Sequence, residues 1–527
     1  MDPLSNDSAE TKAAPDVWIV PLVYISHVRC YLHFAKQLAR HGVSKAWSDT
    51  DGVDDDEENR TRASHEEDKW ARAIDEQTEI RRHSQTGVRD RLELDLMESM
   101  MMMRIGPGRV MRRINGPGLS MNRQRFEDIL KRELEIGQSK PTCVISDYSC
   151  PGVHAIAVKY SVPAWVFSSF PVGCAAGVVY MSELQSKGIL KLPNSALDKE
   201  AEELISLPGM PLMRINELDT LFTFPTSLLH RIGKHIGPTL LQAEVVLFST
   251  FQELEPKAFM EFKKLRKIAA SKENREAGEV YTVGPTLDRP SEGLFGASAK
   301  NGYEEKERDP SLKFLDSQAE SSVLFVAFGC NWNLLPEQMQ EIALGLESSG
   351  QPFLVSFHPP IKTAKYQTDN IFDVIPQDCV EGTKGRGLFV QGWVPQVQIL
   401  SHSAVGGFLS HCGHSSYLES VYMGVPLITW PIFCEQYMNA RYIVDEIQVG
   451  VEIPRSLATS DLVDRKEVEA KVRALFQSEQ GNTARKNMLR YRELAVRTVS
   501  ENGSTFNNMK MIIARIRDLA AGTHSHL

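Results

Sequence analysis

A short polar turn at residues 411–416, His-Cys-Gly-His-Ser-Ser, holds side chains that are well placed to do chemistry. The run from Val405 to Ser410 before it is typical of a buried parallel strand, and residues 417–423 after it are predicted to be helical, with Ser415 or Ser416 as the N-cap. Amide N–H groups at a helix start, beside hydroxyl groups and a histidine, can bind an anion such as a diphosphate. The local pattern alone favours an ordinary strand–helix loop, so an anion site needs support from the surrounding residues.

A histidine and a carboxylate follow two other predicted strands. Residues 17–25 predict a buried strand, His27 lies in the turn after it, and residues 30–41 predict a helix. Residues 142–147 predict another parallel-type strand, which ends in Asp147. Open α/β sheets bind ligands at the carboxyl ends of their strands, so both positions suit a functional role. A lone histidine there is nevertheless more often a helix-start residue, and an aspartate at a strand end often caps the next helix.

Strand-like and helix-like segments alternate along two successive parts of the chain. This pattern predicts an α/β fold of two Rossmann-like doubly wound domains that face each other across a cleft. We place the N-terminal domain at residues 1–287 and the C-terminal domain at 311–499, with a linker rich in Gly, Ser, Pro and charge at 288–310. The secondary structure of residues 44–122 is the least predictable part of the chain, and methionines 100–103 are expected in a loop or insertion.

Composition limits the class of protein. The 527 residues are 42% hydrophobic and 24% charged, which predicts a globular protein with room for two domains. A net charge of −9 argues against nucleic acid as the main partner. The eight cysteines form no CxxC pair and no zinc-type spacing, which favours reduced thiols and a cytoplasmic protein. We expect no targeting segment and no transmembrane segment.

The sequence lacks the motifs of two classes of nucleotide-binding protein. A dinucleotide dehydrogenase needs a Gly-x-Gly-x-x-Gly turn directly after a strand, and Gly-Thr-Lys-Gly-Arg-Gly at 382–387 lies in a predicted polar loop instead. No Walker A sequence is present, which argues against a P-loop nucleotidase.

The stretch from Trp393 to Gln436 resembles the signature box of the plant secondary-product UDP-glycosyltransferases, family 1 of the glycosyltransferases. That box begins Trp-x-Pro-Gln, passes through His-Cys-Gly-Trp-Asn-Ser-x-x-Glu and ends in Glu or Asp followed by Gln or His. The matching residues here are Trp393, Gln396, His411, Ser416, Glu419, Glu435 and Gln436. The order of segments from 204 to 287 and a helix from about Gly503 to Leu519 also resemble the family, in which the C-terminal tail, here residues 500–527, packs back on the N-terminal domain.

The resemblance implies a two-domain fold of the GT-B type and a role for each matching residue. Trp393 would stack on uracil beside Val394 and Gln396, and Glu419 would accept hydrogen bonds from the ribose. His411 and Ser416 would hold the diphosphate, and Glu435 and Gln436 the sugar hydroxyls. The implied donor site comprises Gly329, Cys330, Trp393, Val394, Gln396, His411, Gly413, His414, Ser415, Ser416, Glu419, Glu435 and Gln436.

Three departures from the family pattern fall in this site. His414-Ser415 replaces Trp-Asn beside the sugar and phosphates, and Cys330 replaces the serine of a Phe-Gly-Ser loop. The final Gln436 corresponds to the residue that goes with glucose in the family.

The resemblance further implies that His27 is the catalytic base and Asp147 its partner, because a carboxylate on one ring nitrogen raises the basicity of the other. The expected activity is inverting transfer of a hexosyl group from a UDP-sugar to a hydroxyl of a small lipophilic acceptor, phenolic or terpenoid. Because Gln436 corresponds to the family residue that goes with glucose, the expected sugar is glucose. No metal or other cofactor is expected, and the protein is expected to act as a monomer. The alternative is a degenerate relative that binds a UDP-sugar or a small ligand without turnover.

Overall fold

The computed structural model describes residues 15–20, 25–38, 103–105, 123–135, 140–186, 204–218, 228–287, 309–329, 333–453 and 462–522. These residues build two six-stranded sheets and one small two-stranded sheet. The predicted α/β fold with two doubly wound domains is confirmed. Cys330 and most of residues 44–122, including Met100–Met102, lie outside the described residues.

The first large sheet is formed by residues from the N-terminal half. Its strands and those of the small sheet are β1 (Val17–Val20), β2 (Met103–Ile105), β3 (Cys143–Asp147), β4 (Ala164–Ser168), β5 (Leu204–Ile205), β6 (Met213–Arg214), β7 (Val245–Phe248) and β8 (Glu279–Thr282). The order in the large sheet is β2-β1-β3-β4-β7-β8, and β5 pairs with β6. All neighbours in the large sheet are parallel except β2, which pairs antiparallel with β1. Met103, expected in a loop or insertion, is therefore the first residue of an edge strand.

Helices connect and cover these strands. They are α1 (Ile25–Leu38), α2 (Arg123–Glu135), α3 (Pro151–Lys159), α4 (Val172–Ser186), α5 (Leu228–Gln242) and α6 (Pro256–Lys272). The prediction that α1 begins at residue 30 is wrong, because residues 25–29, expected to be strand end and turn, are already helical. His27 consequently lies in the first turn of a helix.

The second large sheet contains β9 (Val323–Ala327), β10 (Phe353–Phe357), β11 (Gly387–Gln391), β12 (Val405–Ser410), β13 (Leu427–Thr429) and β14 (Gly450–Glu452). All its neighbours are parallel, in the order β11-β10-β9-β12-β13-β14. This is the doubly wound order 3-2-1-4-5-6. Its helices are α7 (Pro310–Asp316), α8 (Pro336–Ser349), α9 (Gln377–Gly382), α10 (Gln396–Leu400), α11 (His414–Met423), α12 (Gln436–Arg441), α13 (Arg465–Gln477) and α14 (Glu479–Val499).

The last helix, α15 (Ser504–Ala520), returns to the first sheet. Its buried residues Met509, Ile512 and Ile516 share one hydrophobic cluster with the strands of that sheet. The side-chain amide of Asn508 donates to the carbonyl of Thr282 at the end of β8, at 2.9 Å.

Each large sheet has a point at which the strand order reverses, and ligands in open α/β folds bind there. In the second sheet this point lies between β9 and β12, where Ala327 pairs with Ser410. Among the described strands of the first sheet it lies between β1 and β3, where Val20 pairs with Ser146. The predicted catalytic and anion-binding residues therefore follow the strands that flank the two reversal points.

Among the described residues, the structure has no helix with the length and apolar character needed to cross a bilayer.

Candidate active site

The turn after β12 leads directly into α11. The helix begins at His414, and Gly413 is its N-cap, with extended backbone and no side-chain hydrogen bond to the helix end. The predicted N-cap at Ser415 or Ser416 is therefore wrong: both serines lie inside the first turn. The first backbone bond of the helix runs from Tyr417 N–H to the Gly413 carbonyl, 3.0 Å. A ten-residue helix whose start no side chain caps presents amide N–H groups and the positive end of its dipole.

The ring of His411 lies close to two glycines. A Cβ built on Gly329 would lie 2.6 Å from His411 Nε2, and one built on Gly413 would lie 2.5 Å from the same atom. Gly329 also has a φ of +75°, which a residue with a side chain rarely adopts. The turns after β9 and β12 can approach this closely only because both positions lack a side chain.

Burial keeps the His411 imidazole neutral. It lowers the pKa of His411 to about 4, and Nδ1 is buried without a hydrogen-bond partner. At neutral pH the ring can therefore donate a single N–H to a phosphate oxygen but adds no full positive charge.

Three predicted nucleotide-binding residues form one hydrogen-bonded cluster. Gln396 Nε2 donates to Glu419 Oε2 at 2.7 Å and to Ser416 Oγ at 3.0 Å. Trp393, three residues before Gln396, is 54% exposed, whereas the other tryptophans that the structure describes are fully buried. An exposed indole near a fixed carboxylate suits a planar base joined to a diol. Val394 is buried, and its carbonyl accepts the N–H of Gln396.

The predicted sugar-binding pair stands at the start of α12. Gln436 is buried, and its Oε1 accepts N–H bonds from Ile432 at 2.9 Å and Phe433 at 3.1 Å, which shapes the loop after β13. Glu435 is buried directly before the helix, and its charge contributes, after burial, to the raised pKa of Cys412. Asn439 of the same helix donates to the Cys412 carbonyl at 2.8 Å, so α12 packs against the turn at residues 411–416. His414 is also buried, with its ring 6.1 Å from that of Tyr417.

Asp147 lies at the carboxyl end of β3 and is buried. Its Oδ1 accepts from the backbone N–H of Ser149 at 2.9 Å and from the Ser149 hydroxyl. It does not cap α3, whose N-cap is Cys150 with no side-chain hydrogen bond, so the capping alternative is wrong. Burial raises the pKa of Tyr31 in α1, and the nearby charge of Asp147 raises it further. Asp147 therefore faces the helix that contains His27.

One contact brings the two halves of the site together. Cys30 Sγ of α1 lies 3.6 Å from Ser415 Oγ in the first turn of α11. His27 is one helical turn before Cys30; its side chain lies outside the described residues. The helix that holds the predicted base thus meets the helix start that is predicted to bind the diphosphate.

Comparisons with known proteins show the family of this chain. Residues 297–470 match the family model described as UDP-glucoronosyl and UDP-glucosyl transferase. UDP-glycosyltransferase 73C7 of Arabidopsis thaliana is 32% identical over 413 residues, which cover 74% of this chain and 78% of that protein. The anthocyanidin 5,3-O-glucosyltransferase of a Rosa hybrid cultivar is 30% identical, over 71% of this chain and 74% of its own. This chain belongs to the plant family 1 UDP-glycosyltransferases.

A solved structure of a plant UDP-glycosyltransferase has a similar fold. UGT2 of Phytolacca americana, complexed with UDP-2fluoro-glucose and pterostilbene, superposes with a TM-score of 0.61 at 27% identity, over 75% of this chain and 80% of that one. The GT-B fold is therefore confirmed, and this UDP-glycosyltransferase is an enzyme of glycosyl transfer.

Sequence reasoning missed two side chains that shape the site of this UDP-glycosyltransferase. His358 Nε2 donates to the carbonyl of Gly329 at 2.8 Å, and Asn439 Nδ2 donates to the carbonyl of Cys412 at 2.8 Å. Asn439 lies three residues after Gln436, on the same helical face, and that spacing could have identified it. His358 follows β10, which neighbours β9, so its place at a strand end was the available signal.

Proposed function

We propose that this UDP-glycosyltransferase transfers glucose from UDP-glucose to a hydroxyl group of a small phenolic or terpenoid acceptor, with inversion at the anomeric carbon. The observation that carries the proposal is the contact between Cys30 and Ser415, which sets α1, one helical turn after His27, against the start of α11. A base on α1 would then stand opposite the group that leaves.

In the proposed reaction, His27 removes the proton from the acceptor hydroxyl while the oxygen attacks the anomeric carbon. The bond between that carbon and the diphosphate oxygen breaks, and UDP leaves. Asp147 holds the imidazole and stabilises the imidazolium that forms. Its burial and its position facing α1 support this role.

The negative charge that develops on UDP is proposed to be stabilised by the amide N–H groups at the start of α11 and by a neutral N–H of His411. Gly329 would hold His411 in place, and the backbone at Cys330 would lie beside the same phosphates. We propose that the reaction needs no divalent metal, because the uncapped helix start supplies the positive potential.

The uridine is proposed to stack on Trp393, with its ribose hydroxyls donating to Glu419. The hydrogen bonds of Gln396 support this, because they fix the carboxylate before nucleotide binds. Glu435 and Gln436 are proposed to hold the sugar, with His414 beside it. The rose relative's name, a glucosyltransferase, supports glucose, and the pterostilbene bound to the Phytolacca americana protein supports a phenolic acceptor.

We further propose a cytoplasmic monomer. The described cysteines are all free thiols, which supports a reducing compartment. Light scattering coupled to gel filtration should give a mass near 59.1 kDa, and a dimer mass would contradict the monomer.

The test measures UDP release with UDP-glucose, UDP-galactose, UDP-xylose and UDP-glucuronic acid, each against phenolic and terpenoid alcohols, with and without EDTA. The proposal expects turnover with UDP-glucose that EDTA does not change. Turnover with another sugar only would refute glucose and point to His414, and loss of activity in EDTA would refute the metal-free step. UDP binding without turnover for any pair would support the non-catalytic alternative.

A further inference from the structure

Asn439 in α12 is buried, and both the nitrogen and the oxygen of its side-chain amide form hydrogen bonds. Its Nδ2 donates to the carbonyl of Cys412 at 2.8 Å, and its Oδ1 accepts from Cys174 Sγ of α4 at 3.4 Å. The residue is 2% exposed. We infer that Asn439 is a positioning residue that holds the diphosphate-binding turn in its productive shape and ties it to the N-terminal half; this inference rests on the proposed function.

The turn needs such support because of its backbone. Cys412 has a φ of +64°, in the left-handed region that favours glycine over residues with a side chain. Its N–H donates to Ser410 Oγ at 3.2 Å and its thiol to the Ser410 carbonyl, so both of these bonds stay within the turn. The side chains of Ser415 and Ser416 are tied to other helices by Cys30 and Gln396, whereas Asn439 acts on the backbone of the turn, at the carbonyl just before Gly413, the N-cap of α11.

The hydrogen bond at Asn439 Oδ1 fixes the orientation of the side-chain amide. Cys174 donates to Oδ1, so the opposite end of the same group must present its N–H to Cys412. The helices that carry the two residues are packed together next to this bond. Met438 is fully buried in the cluster of the N-terminal half, and a Cβ on Gly177 of α4 would lie 2.9 Å from its methyl group.

The same segment docks on the N-terminal half at three more points. Arg441 Nε pairs with Glu217 Oε1 at 3.0 Å, the Tyr442 hydroxyl donates to the Leu254 carbonyl at 2.9 Å, and Lys257 Nζ pairs with Glu446 Oε1 at 2.7 Å. Residues 442–446 form a π-helical turn, a feature often found at functional sites. A segment fixed to the N-terminal half at this many points gives Asn439 a rigid base from which to hold the turn.

The experiment measures the Kd for UDP by calorimetry, together with thermal unfolding, in the full-length protein. Asn439→Ala leaves a buried carbonyl without its donor, and we expect the Kd for UDP to rise on the order of tenfold. Cys412→Gly in that background should recover part of the affinity, because glycine adopts a positive φ without strain, although the carbonyl still lacks the amide donor. Cys412→Gly alone is the reference for this rescue. A variant that is less stable but binds UDP as wild type does would overturn the inference, and so would failure of the rescue in a folded double variant.

A second pair tests the same inference if Asn439 variants do not fold. Cys174→Val removes the donor at similar size, and Cys174→Ser keeps a hydroxyl donor. We expect the valine variant to bind UDP several-fold more weakly and the serine variant to bind it as wild type does. Equal affinities in the two variants would overturn the inference. Wild-type protein that binds no UDP would instead refute the proposed function, which separates the two failures.

Discussion

Replacing Gly329 by alanine should weaken UDP binding far more than an equivalent change elsewhere in the same domain. The residue has a φ of +75°, so alanine there costs about 1 kcal/mol or more from backbone strain alone. The new Cβ would also lie 2.6 Å from His411 Nε2 and 2.7 Å from Cε1, well inside van der Waals contact. Gly413 also approaches Nε2 of this ring closely, so the ring has little room to move, and relieving this overlap should cost about 1–3 kcal/mol more.

Gly350→Ala is the matched control. Gly350 has a φ of +73° at the end of α8, and a Cβ there would meet no atom within 4 Å. The control therefore has the same backbone strain without the contact to His411. Both variants should lose about 1 kcal/mol of unfolding free energy from strain, and Gly329→Ala should lose the additional contact energy.

The assay is a pair of measurements on each variant, urea unfolding and UDP affinity by calorimetry. Gly329→Ala should raise the Kd for UDP at least tenfold, because a displaced His411 no longer lies over the diphosphate turn. Gly350→Ala should bind UDP as wild type does. Equal Kd values in the two variants would refute the view that the two glycines position His411 for the diphosphate.

Three further predictions concern other parts of the site. Asp147→Asn should lower kcat on the order of 10²-fold or more with the Kd for UDP unchanged, since it removes the charge that supports the imidazolium; an equal loss in UDP affinity would contradict this role. Gln396→Glu places a second carboxylate next to Glu419, 2.7 Å from the present amide, and should raise the Kd for UDP about tenfold, whereas Gln396→Met as the uncharged control should have a smaller effect. The pKa of His411 is about 4 in the folded protein and higher when the chain is unfolded, so the unfolded state takes up a proton first as the pH falls. His411 therefore does not reduce the unfolding free energy above about pH 6.5, and it reduces that free energy progressively as the pH falls from about 6.5 towards about 4. Wild type should lose more unfolding free energy between pH 7 and pH 5 than His411→Gln does. Parallel losses in the two proteins would refute a buried neutral ring.

Apolar strands were the most predictable part of the fold. Residues 405–410 and 143–147 are apolar runs bounded by polar turns, and they form β12 and β3 as expected. The helix at Ser504–Ala520 was also predicted, because its buried residues repeat with helical spacing. These segments depend on hydrophobic periodicity, which a single sequence displays directly.

The turn that forms the site was less predictable, because its shape depends on partners distant in the chain. Ser415 and Ser416 are good N-cap types, yet their hydroxyls contact Cys30 and Gln396, and Gly413 takes the cap position. A cysteine at position 412 gives no sign of a left-handed backbone. The donor from Asn439 that acts on that turn comes from 27 residues further along the chain.

The edge strand at Met103–Ile105 was missed for a different reason. Three residues are too few for a clear alternation of apolar and polar side chains, and the strand is defined by its pairing with Val17–Ile19 of β1. The start of α1 at Ile25 was missed because residues 26–29, Ser-His-Val-Arg, are mostly polar and resemble a turn when taken without their context.

The central claim is that a base on α1 and a leaving-group site on α11 perform one displacement across the two halves. Its most direct test is to follow transfer from UDP-glucose to an accepted phenolic compound by proton NMR, in wild type and in His27→Ala. We expect wild type to form only the β-glucoside from the α-linked donor, and the variant to bind UDP normally while losing at least about 10²-fold in kcat. A product with retained α configuration, or a folded variant with near-normal turnover, would contradict the account.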